Sequence, residues 1–106
     1  MAEVQAWSST EFVAARARGA VMADFYAEWC GPCKAMMKVL DKVAAEFGDN
    51  VSIGKINIDE SPELTAEYQV RTVPTFIVFK DGEMVARLVG VVTAAALSEA
   101  LNKALQ

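Results

Sequence analysis

The chain contains two cysteines, Cys30 and Cys33, which lie close together in the segment Trp29-Cys30-Gly31-Pro32-Cys33. The apolar run at residues 21–27 precedes this segment and predicts a buried strand, whereas residues 34–47 follow it with the apolar spacing of a helix. A Cys-X-X-Cys pair at such a strand-to-helix junction is typical of dithiol redox chemistry, in which two thiols close and reopen a disulfide.

The spacing of the pair fits that chemistry. Residues three apart on a helix have Cα atoms about 5 Å apart, which is within the range of a disulfide. We expect Cys30 at the helix N-terminus, where free N–H groups and the helix dipole favour a thiolate, so its pKa should fall and its sulfur should attack. Cys33 lies one turn deeper and should be the shielded, resolving thiol. Pro32 suits the first helical turn, and Gly31 has no side chain to obstruct an approaching polypeptide.

Three other uses of the pair are less well supported. A structural disulfide would close a very short loop and would stabilise the chain by only roughly 2 kcal/mol. A zinc site needs two further ligands, and because the chain has no histidine and no third cysteine, the site would have to be shared between two chains. Haem attachment needs a histidine directly after the second cysteine, where this chain has Lys34.

Length and composition restrict the possibilities further. The 106 residues predict one domain, 1–106, and a hydrophobic content of 54% argues against disorder. The net charge of −4 argues against a nucleic-acid partner, and no apolar run approaches the ~20 residues needed to cross a membrane. The N-terminus lacks the features of a secretory signal, and a single cysteine pair suits a cytoplasmic location, although a chain trimmed after import into an organelle would look the same.

The order of the predicted elements indicates an α/β protein. The helix after the cysteines makes a right-handed crossover, which leaves the strands before and after it parallel. The Asp81-Gly82 pair is a strong signal for a two-residue turn, so the last two strands should form an antiparallel hairpin. The prediction is a central mixed sheet with helices on both faces. The strands are expected at residues 21–27, 51–58, 75–79 and 83–89.

Local signals also predict where the helices begin and end. Ser8 and Glu11 have the form of a capping box for a first helix that should end at about residue 18, before Gly19. Ser61 should be the N-cap of a short helix that runs through about residue 68, and Thr93 should cap the last helix. The inward stripe of that last helix is expected to contain Ala96, Leu97, Ala100, Leu101 and Leu105.

Asp24 is unusual because it interrupts the apolar strand that leads to the cysteines. If Asp24 is buried, desolvation should raise its pKa. On a generic strand, an outward-facing aspartate at a bulge or at a sheet edge would be the simpler interpretation. We favour burial, since the strand is apolar on both sides.

Residues 24–34, Asp-Phe-Tyr-Ala-Glu-Trp-Cys-Gly-Pro-Cys-Lys, resemble the active-site segment of the thioredoxin family. The resemblance continues through residues 55–59, 73–75, 79–83 and 89–90, so it spans nearly the whole chain in the family's order. It implies the thioredoxin fold. It has two departures: Lys38 stands where the family usually has a proline that kinks the helix, which suggests a straighter helix, and Tyr26 stands where a second tryptophan is common.

The resemblance also implies roles for individual residues. Asp24 would be the buried acid beneath Cys33 and would act through water as its general base or acid. Lys55 matches the family's lysine near that acid, although a lysine that extends from the sheet into solvent is equally compatible with the sequence. Pro74 matches the family's cis-proline opposite the cysteines, even though most X–Pro bonds are trans.

An apolar rim around the cysteines follows from the same resemblance. Trp29, Val73, Pro74, Gly90 and Val91 would form this rim and receive the disulfide of a partner protein. The backbone of Val73 would pair with the incoming peptide as an added strand. Trp29 could instead fill the core, but its place beside Cys30 at the sheet edge favours the rim.

The predicted function is that of a protein disulfide reductase. The resemblance implies regeneration by thioredoxin reductase, linked to NADPH or ferredoxin, with the Cys30–Cys33 disulfide as the redox centre and no bound cofactor. We expect a monomer without a nucleic-acid or membrane partner. An oxidant or isomerase is a second hypothesis, disfavoured by Gly31-Pro32 and by the absence of histidine. A non-enzymatic module that binds partners through the apolar rim is a third.

Overall fold

The computed structural model describes residues 3–106. Within this range the chain forms five strands and four α-helices, and a short 3₁₀ turn at Gly48–Asn50 follows the second helix. In chain order the elements are β1 (Val4–Ala6), α1 (Ser9–Ala15), β2 (Ala20–Tyr26), α2 (Gly31–Phe47), β3 (Val51–Asn57), α3 (Pro62–Glu67), β4 (Thr75–Lys80), β5 (Glu83–Val89) and α4 (Ala94–Leu105).

The five strands form one mixed sheet in the order β1-β3-β2-β4-β5. Strands β1 and β2 both pair with β3 in parallel, whereas β4 pairs antiparallel with β2 and with β5. The predicted parallel pair and the predicted antiparallel hairpin are therefore confirmed. The cysteine segment follows the carboxyl end of β2, which is the central strand.

Helices cover both faces of the sheet, as predicted. The alternate residues Ala20 and Met22 of β2 belong to the core that α2 and α4 cover, whereas Val21, Ala23 and Phe25 belong to the core around α1 and α3. Successive residues of a strand point to opposite faces. Asp24, two residues after Met22, therefore lies on the face that the cysteine helix covers.

The first helix ends earlier than predicted. The capping box is confirmed, because the Ser8 side chain accepts from the Glu11 N–H and the Glu11 carboxylate accepts from the Ser8 N–H. However, α1 ends at Ala15, and residues 16–19 form turns and a bend rather than the helix predicted to about Arg18. Gly19 has φ +74° and its N–H donates to Asp81 Oδ1, so these residues redirect the chain into β2.

The remaining boundaries differ from the predictions by small amounts. Strand β2 lies one residue earlier than expected, β3 ends one residue earlier, β4 ends one residue later, and α2 already begins at Gly31. Ser61 occupies the N-cap position of α3, but its side chain makes no capping bond and accepts from Ser9 Oγ instead. Asp81 and Gly82 both have positive φ, as a two-residue hairpin turn with this pair requires.

The last helix has one error in its inward stripe. Thr93 caps α4 as predicted, and its Oγ1 accepts from the Ala96 N–H. Leu105 is exposed, and the buried position belongs to Ala104. The reason is helical phase: Ala104 follows Leu97 by seven residues, nearly two full turns, and so it stays on the same side of the helix.

Candidate active site

Cys30 and Cys33 are joined by a disulfide at the N-terminus of α2. Their Cα atoms are 5.3 Å apart, close to the separation that helical geometry predicts. Cys30 is the N-cap residue, with an extended backbone, and its Sγ accepts from the Cys33 N–H at 3.1 Å. Pro32 lies in the first helical turn, and a side chain at Gly31 would meet open space. The helix N-terminus thus directs a backbone donor at the Cys30 sulfur.

Both cysteines are largely covered in this disulfide state. Cys33 is 2% exposed, as predicted for a shielded thiol, but Cys30 is only 4% exposed, so the two differ less in accessibility than expected. They differ in surroundings instead. Cys30 Sγ lies 3.8 Å from the carbonyl oxygen of Val73, on the loop that precedes β4.

The loop opposite the disulfide has the backbone predicted from the resemblance. The Val73–Pro74 peptide bond is cis, which confirms that expectation. Gly90 has φ +86° and donates its N–H to the Pro74 carbonyl at 2.8 Å, so the end of β5 is fixed beside this loop. Val91 follows and is strongly exposed. Of these residues, Val73 contacts the cysteine pair through its carbonyl oxygen.

Trp29 is a surface residue, so the alternative that it fills the core is wrong. Its side chain is 69% exposed, and its Nε1 donates to Asp59 Oδ2 at 3.1 Å. The backbone N–H of Asp59 in turn donates to Asn57 Oδ1 at 2.8 Å. The sequence patterns indicated no role for Asp59 or Asn57. Their position at the carboxyl end of β3, adjacent to the end of β2, was the available signal.

Asp24 is fully buried, and the alternative of an outward-facing aspartate is therefore wrong. It has no exposed surface, and within residues 3–106 neither carboxylate oxygen has a hydrogen-bond partner. Burial raises the pKa of Asp24 to about 7, and the positive charge of Lys55 opposes that rise. An acid with such a pKa exchanges protons readily near neutral pH.

Lys55 lies next to Asp24 on the neighbouring strand. The two residues are register partners of β2 and β3. The lysine is half-buried, and its Nζ lies 5.2 Å from the centroid of the Tyr26 ring, a cation–π distance. The charge of Lys55 acts on Asp24, as the family resemblance implied. Part of its side chain also reaches solvent, as the alternative interpretation expected.

Neither a metal cluster nor a membrane-spanning helix occurs in the described part of the chain. Residues 3–106 contain no group of three or more histidine, cysteine, aspartate or glutamate side chains that could hold a metal ion. None of the helices in that range is long and apolar enough to span a bilayer.

The sequence profile of the thioredoxin family matches residues 3–103. The chain belongs to the thioredoxin family. Among thioredoxins with similar sequences, that of Bacillus subtilis (strain 168) is 45% identical over 103 residues, which cover 97% of this chain and 98% of the relative. The thioredoxin of Chlamydia pneumoniae is 47% identical over 96 residues, which cover 91% and 93%.

Solved thioredoxin structures have the same fold. A point mutant of the thioredoxin from Halobacterium salinarum NRC-1 superimposes with a TM-score of 0.86 at 34% identity, covering 97% of this chain and 90% of that one. The thioredoxin of Malassezia sympodialis superimposes with a TM-score of 0.89 at 31% identity, covering 100% and 94%. With the Cys-X-X-Cys pair at disulfide distance, this member of the thioredoxin family is a thiol–disulfide oxidoreductase.

Proposed function

We propose that the chain reduces disulfides in partner proteins, with Cys30 as the nucleophile and Cys33 as the resolving thiol. The observation that carries this proposal is the position of Cys30 as the N-cap of α2, where its sulfur accepts the N–H of Cys33. The same donor and the helix dipole would stabilise a Cys30 thiolate in the reduced protein. Cys33 lies inside the first turn, and its backbone N–H points toward Cys30 Sγ rather than toward its own sulfur.

In the first step the Cys30 thiolate attacks one sulfur of the partner disulfide. A mixed disulfide forms between Cys30 and the partner, the partner's own S–S bond breaks, and its second sulfur leaves as a thiolate that takes up a proton. One disulfide has replaced another at this point, so the number of S–S bonds is unchanged. It is covalently bound to its partner through Cys30 alone.

In the second step Cys33 releases the partner. Its thiol gives a proton to Asp24, directly or through water, and the resulting thiolate attacks Cys30 Sγ. The Cys30–Cys33 disulfide forms, the mixed disulfide breaks, and the second partner sulfur leaves as a thiolate that takes up a proton from solvent. Over both steps the partner gains two electrons and two protons. A pKa of about 7 suits Asp24 to accept the proton near neutral pH and return it when the chain is reduced again.

The apolar rim of Trp29, Val73, Pro74, Gly90 and Val91 would receive the partner. The Val73 carbonyl lies beside Cys30 Sγ and suits backbone pairing with an extended peptide. Trp29 and Val91 are largely exposed, so both offer apolar surface to a partner. Gly31 leaves room for the approach, since no atom lies within 4 Å of a Cβ built there.

The rest of the catalytic cycle is proposed from the family. Thioredoxin reductase would reduce the Cys30–Cys33 disulfide again, and the cysteine pair would carry the electrons without a bound cofactor. We place this activity in the cytoplasm, in a monomer whose residues 1–106 form one domain. The Asp24–Lys55 pair would serve the proton transfer in each direction.

Reduction of insulin disulfides, with NADPH and thioredoxin reductase, tests the proposal. Cys30→Ser should abolish reduction, because it removes the nucleophile. Cys33→Ser should form mixed disulfides that a non-reducing gel or a mass spectrum detects, because no thiol remains to release the partner. Undiminished turnover in either variant, or trapping by Cys30→Ser instead, would contradict the assignment.

A further inference from the structure

Tyr26, Lys55 and Asp24 form a cluster on one face of the sheet, near the carboxyl ends of β2 and β3. Tyr26 follows Asp24 by two residues on β2, so both side chains belong to the same face of the sheet. Lys55 is the register partner of Asp24 on β3, and Asn57 is the register partner of Tyr26. Asp24, Tyr26, Lys55 and Asn57 are thus two neighbouring register pairs at the carboxyl ends of β2 and β3.

The aromatic ring of Tyr26 contacts the charge of Lys55. The ammonium lies 5.2 Å from the ring centroid, and both side chains line a cavity of about 180 Å³ together with Asn57 and Glu60. The Tyr26 hydroxyl lies 3.4 Å from Glu28 Oε1, which limits the orientations of the ring. A lysine with a flexible four-carbon stem would otherwise extend into solvent, away from a buried carboxyl group.

We propose that Tyr26 is a positioning residue, whose ring holds the ammonium of Lys55 beside the Asp24 carboxyl group through a cation–π contact. Through Lys55, the ring sets the pH range over which Asp24 can accept the Cys33 proton. This inference rests on the proposed function of Asp24. The tyrosine is one of the two departures from the family pattern noted in the sequence.

Lys55 is the charge that acts on Asp24 among the elements packed around it. On β4 the register partner of Asp24 is Phe76, and the buried residues of α4 are the apolar Leu97, Ala100, Leu101 and Ala104. From α2, the titratable group buried in the first turn is Cys33, which is held in the disulfide. Desolvation and Lys55 account for the perturbed pKa of Asp24.

The acidic neighbours of the cluster act on Tyr26. Burial raises the pKa of the Tyr26 hydroxyl, and the charges of Glu28 and Glu60 raise it further. The tyrosine therefore stays neutral at physiological pH and keeps its ring available to the ammonium. Glu60 lines the same cavity as Tyr26 and Lys55.

The test is a direct titration of Asp24 in the oxidised protein, where the cysteines do not titrate. The carboxyl ¹³C shift of Asp24 is followed by NMR in the wild type and in Tyr26→Leu, Tyr26→Phe and Lys55→Met. Lys55→Met should move the midpoint to higher pH. Tyr26→Leu should move it upward by an equal or smaller amount, because Lys55 is no longer held. Tyr26→Phe should retain the wild-type midpoint, because the ring is kept.

The double variant Tyr26→Leu/Lys55→Met separates the ring's action through Lys55 from a direct action on Asp24. We expect no shift beyond that of Lys55→Met alone. An unchanged or lowered Asp24 midpoint in Tyr26→Leu overturns the proposal. So does a Tyr26→Leu shift of the same size in the wild-type and in the Lys55→Met background. A Tyr26→Phe variant with the same midpoint as Tyr26→Leu also overturns it.

A second measurement needs no variant. In the wild type, the ring current of Tyr26 should move the Lys55 ε-methylene protons upfield from their positions in a flexible lysine, and unshifted resonances would contradict the contact. Failure of the proposed function would be a separate result: a chain that does not reduce insulin could still show the Lys55-dependent titration, and an active reductase could lack it.

Discussion

At the scale of the single residue, Asp24 links function to a cost in stability. Its carboxyl group is fully buried, and across residues 3–106 neither of its oxygens finds a hydrogen-bond partner. An ionised carboxylate is disfavoured in that environment, and Lys55 offsets only part of the desolvation. The sequence predicted the burial because the strand around Asp24 is apolar on both faces. The lysine–tyrosine contact depends on side-chain positions in three dimensions, so the sequence could not predict it.

Asp24→Asn should therefore change the pH dependence of stability. The pKa of Asp24 rises from 3.8 to about 7 on folding, so between these values the folded chain binds more protons than the unfolded chain. The wild-type carboxyl group thus lowers the free energy of unfolding as pH rises from about 4 to 7. At about 1.4 kcal/mol per pKa unit, the full cost above pH 7 is on the order of 4 kcal/mol.

Urea unfolding of the wild type and Asp24→Asn at several pH values measures this effect. The variant's advantage in unfolding free energy should be small at pH 4, increase up to about pH 7 and then level off. Glu28→Gln serves as a control, because Glu28 is an exposed carboxylate on the same segment. A constant difference across the pH range would contradict the raised pKa.

At the scale of the element, local signals predicted most boundaries and tertiary pairing decided the rest. The Ser8 capping box and the Asp81-Gly82 turn involve neighbours in sequence, so they were predictable. Strand β1 was not predicted. It is only three residues long, too short for a recognisable strand pattern, and it forms through its parallel pairing with β3. The cis bond before Pro74 was predictable only from the family resemblance, since the local sequence favours trans.

Gly54 should be essential to the way the N-terminal segment joins the sheet. A Cβ at this position would overlap the indole of Trp7. Trp7 follows β1 directly, and its backbone N–H donates to the Lys55 carbonyl. Gly54→Ala would displace that ring from its place against β3. We expect it to lower the free energy of unfolding by roughly 1–3 kcal/mol, as overpacking does.

Chemical denaturation measures the free energy of unfolding of Gly54→Ala and of Gly31→Ala. The second variant is the control, because it adds the same methyl group at a different site. At Gly31 the added methyl group meets open space, and the stability should change by about 0.5 kcal/mol or less. Equal effects of the two substitutions would show that Trp7 accommodates the methyl group freely and would contradict the expected overlap.

At the scale of the whole molecule, we expect the fold to be independent of the disulfide that it carries. Two apolar layers, one on each face of the sheet, supply the core, whereas the disulfide links residues only three apart. The sequence predicted this α/β architecture because its strands, its crossover helix and its hairpin signal were all present locally. It could not show that Cys30 would be nearly as covered as Cys33 in the oxidised state.

The reduced chain should accordingly remain folded and unfold as one domain. The short loop closed by the disulfide contributes roughly 2 kcal/mol, so reduction should lower the unfolding free energy by about that amount. Urea unfolding of both forms at pH 5, followed by near- and far-ultraviolet circular dichroism, should give one shared transition for each form. Loss of the near-ultraviolet signal on reduction, or separate transitions for the two probes, would contradict this view.

The central claim is that the N-cap sulfur of Cys30 reacts with the partner while Cys33 is held back. Brief alkylation of the reduced protein with iodoacetamide at pH 7, followed by peptide mass spectrometry, measures the reactivity of each thiol. We predict that Cys30 is modified first, and faster than a cysteine in the unfolded chain, while Cys33 stays unmodified at short times. Equal rates for the two thiols, or earlier modification of Cys33, would contradict this claim.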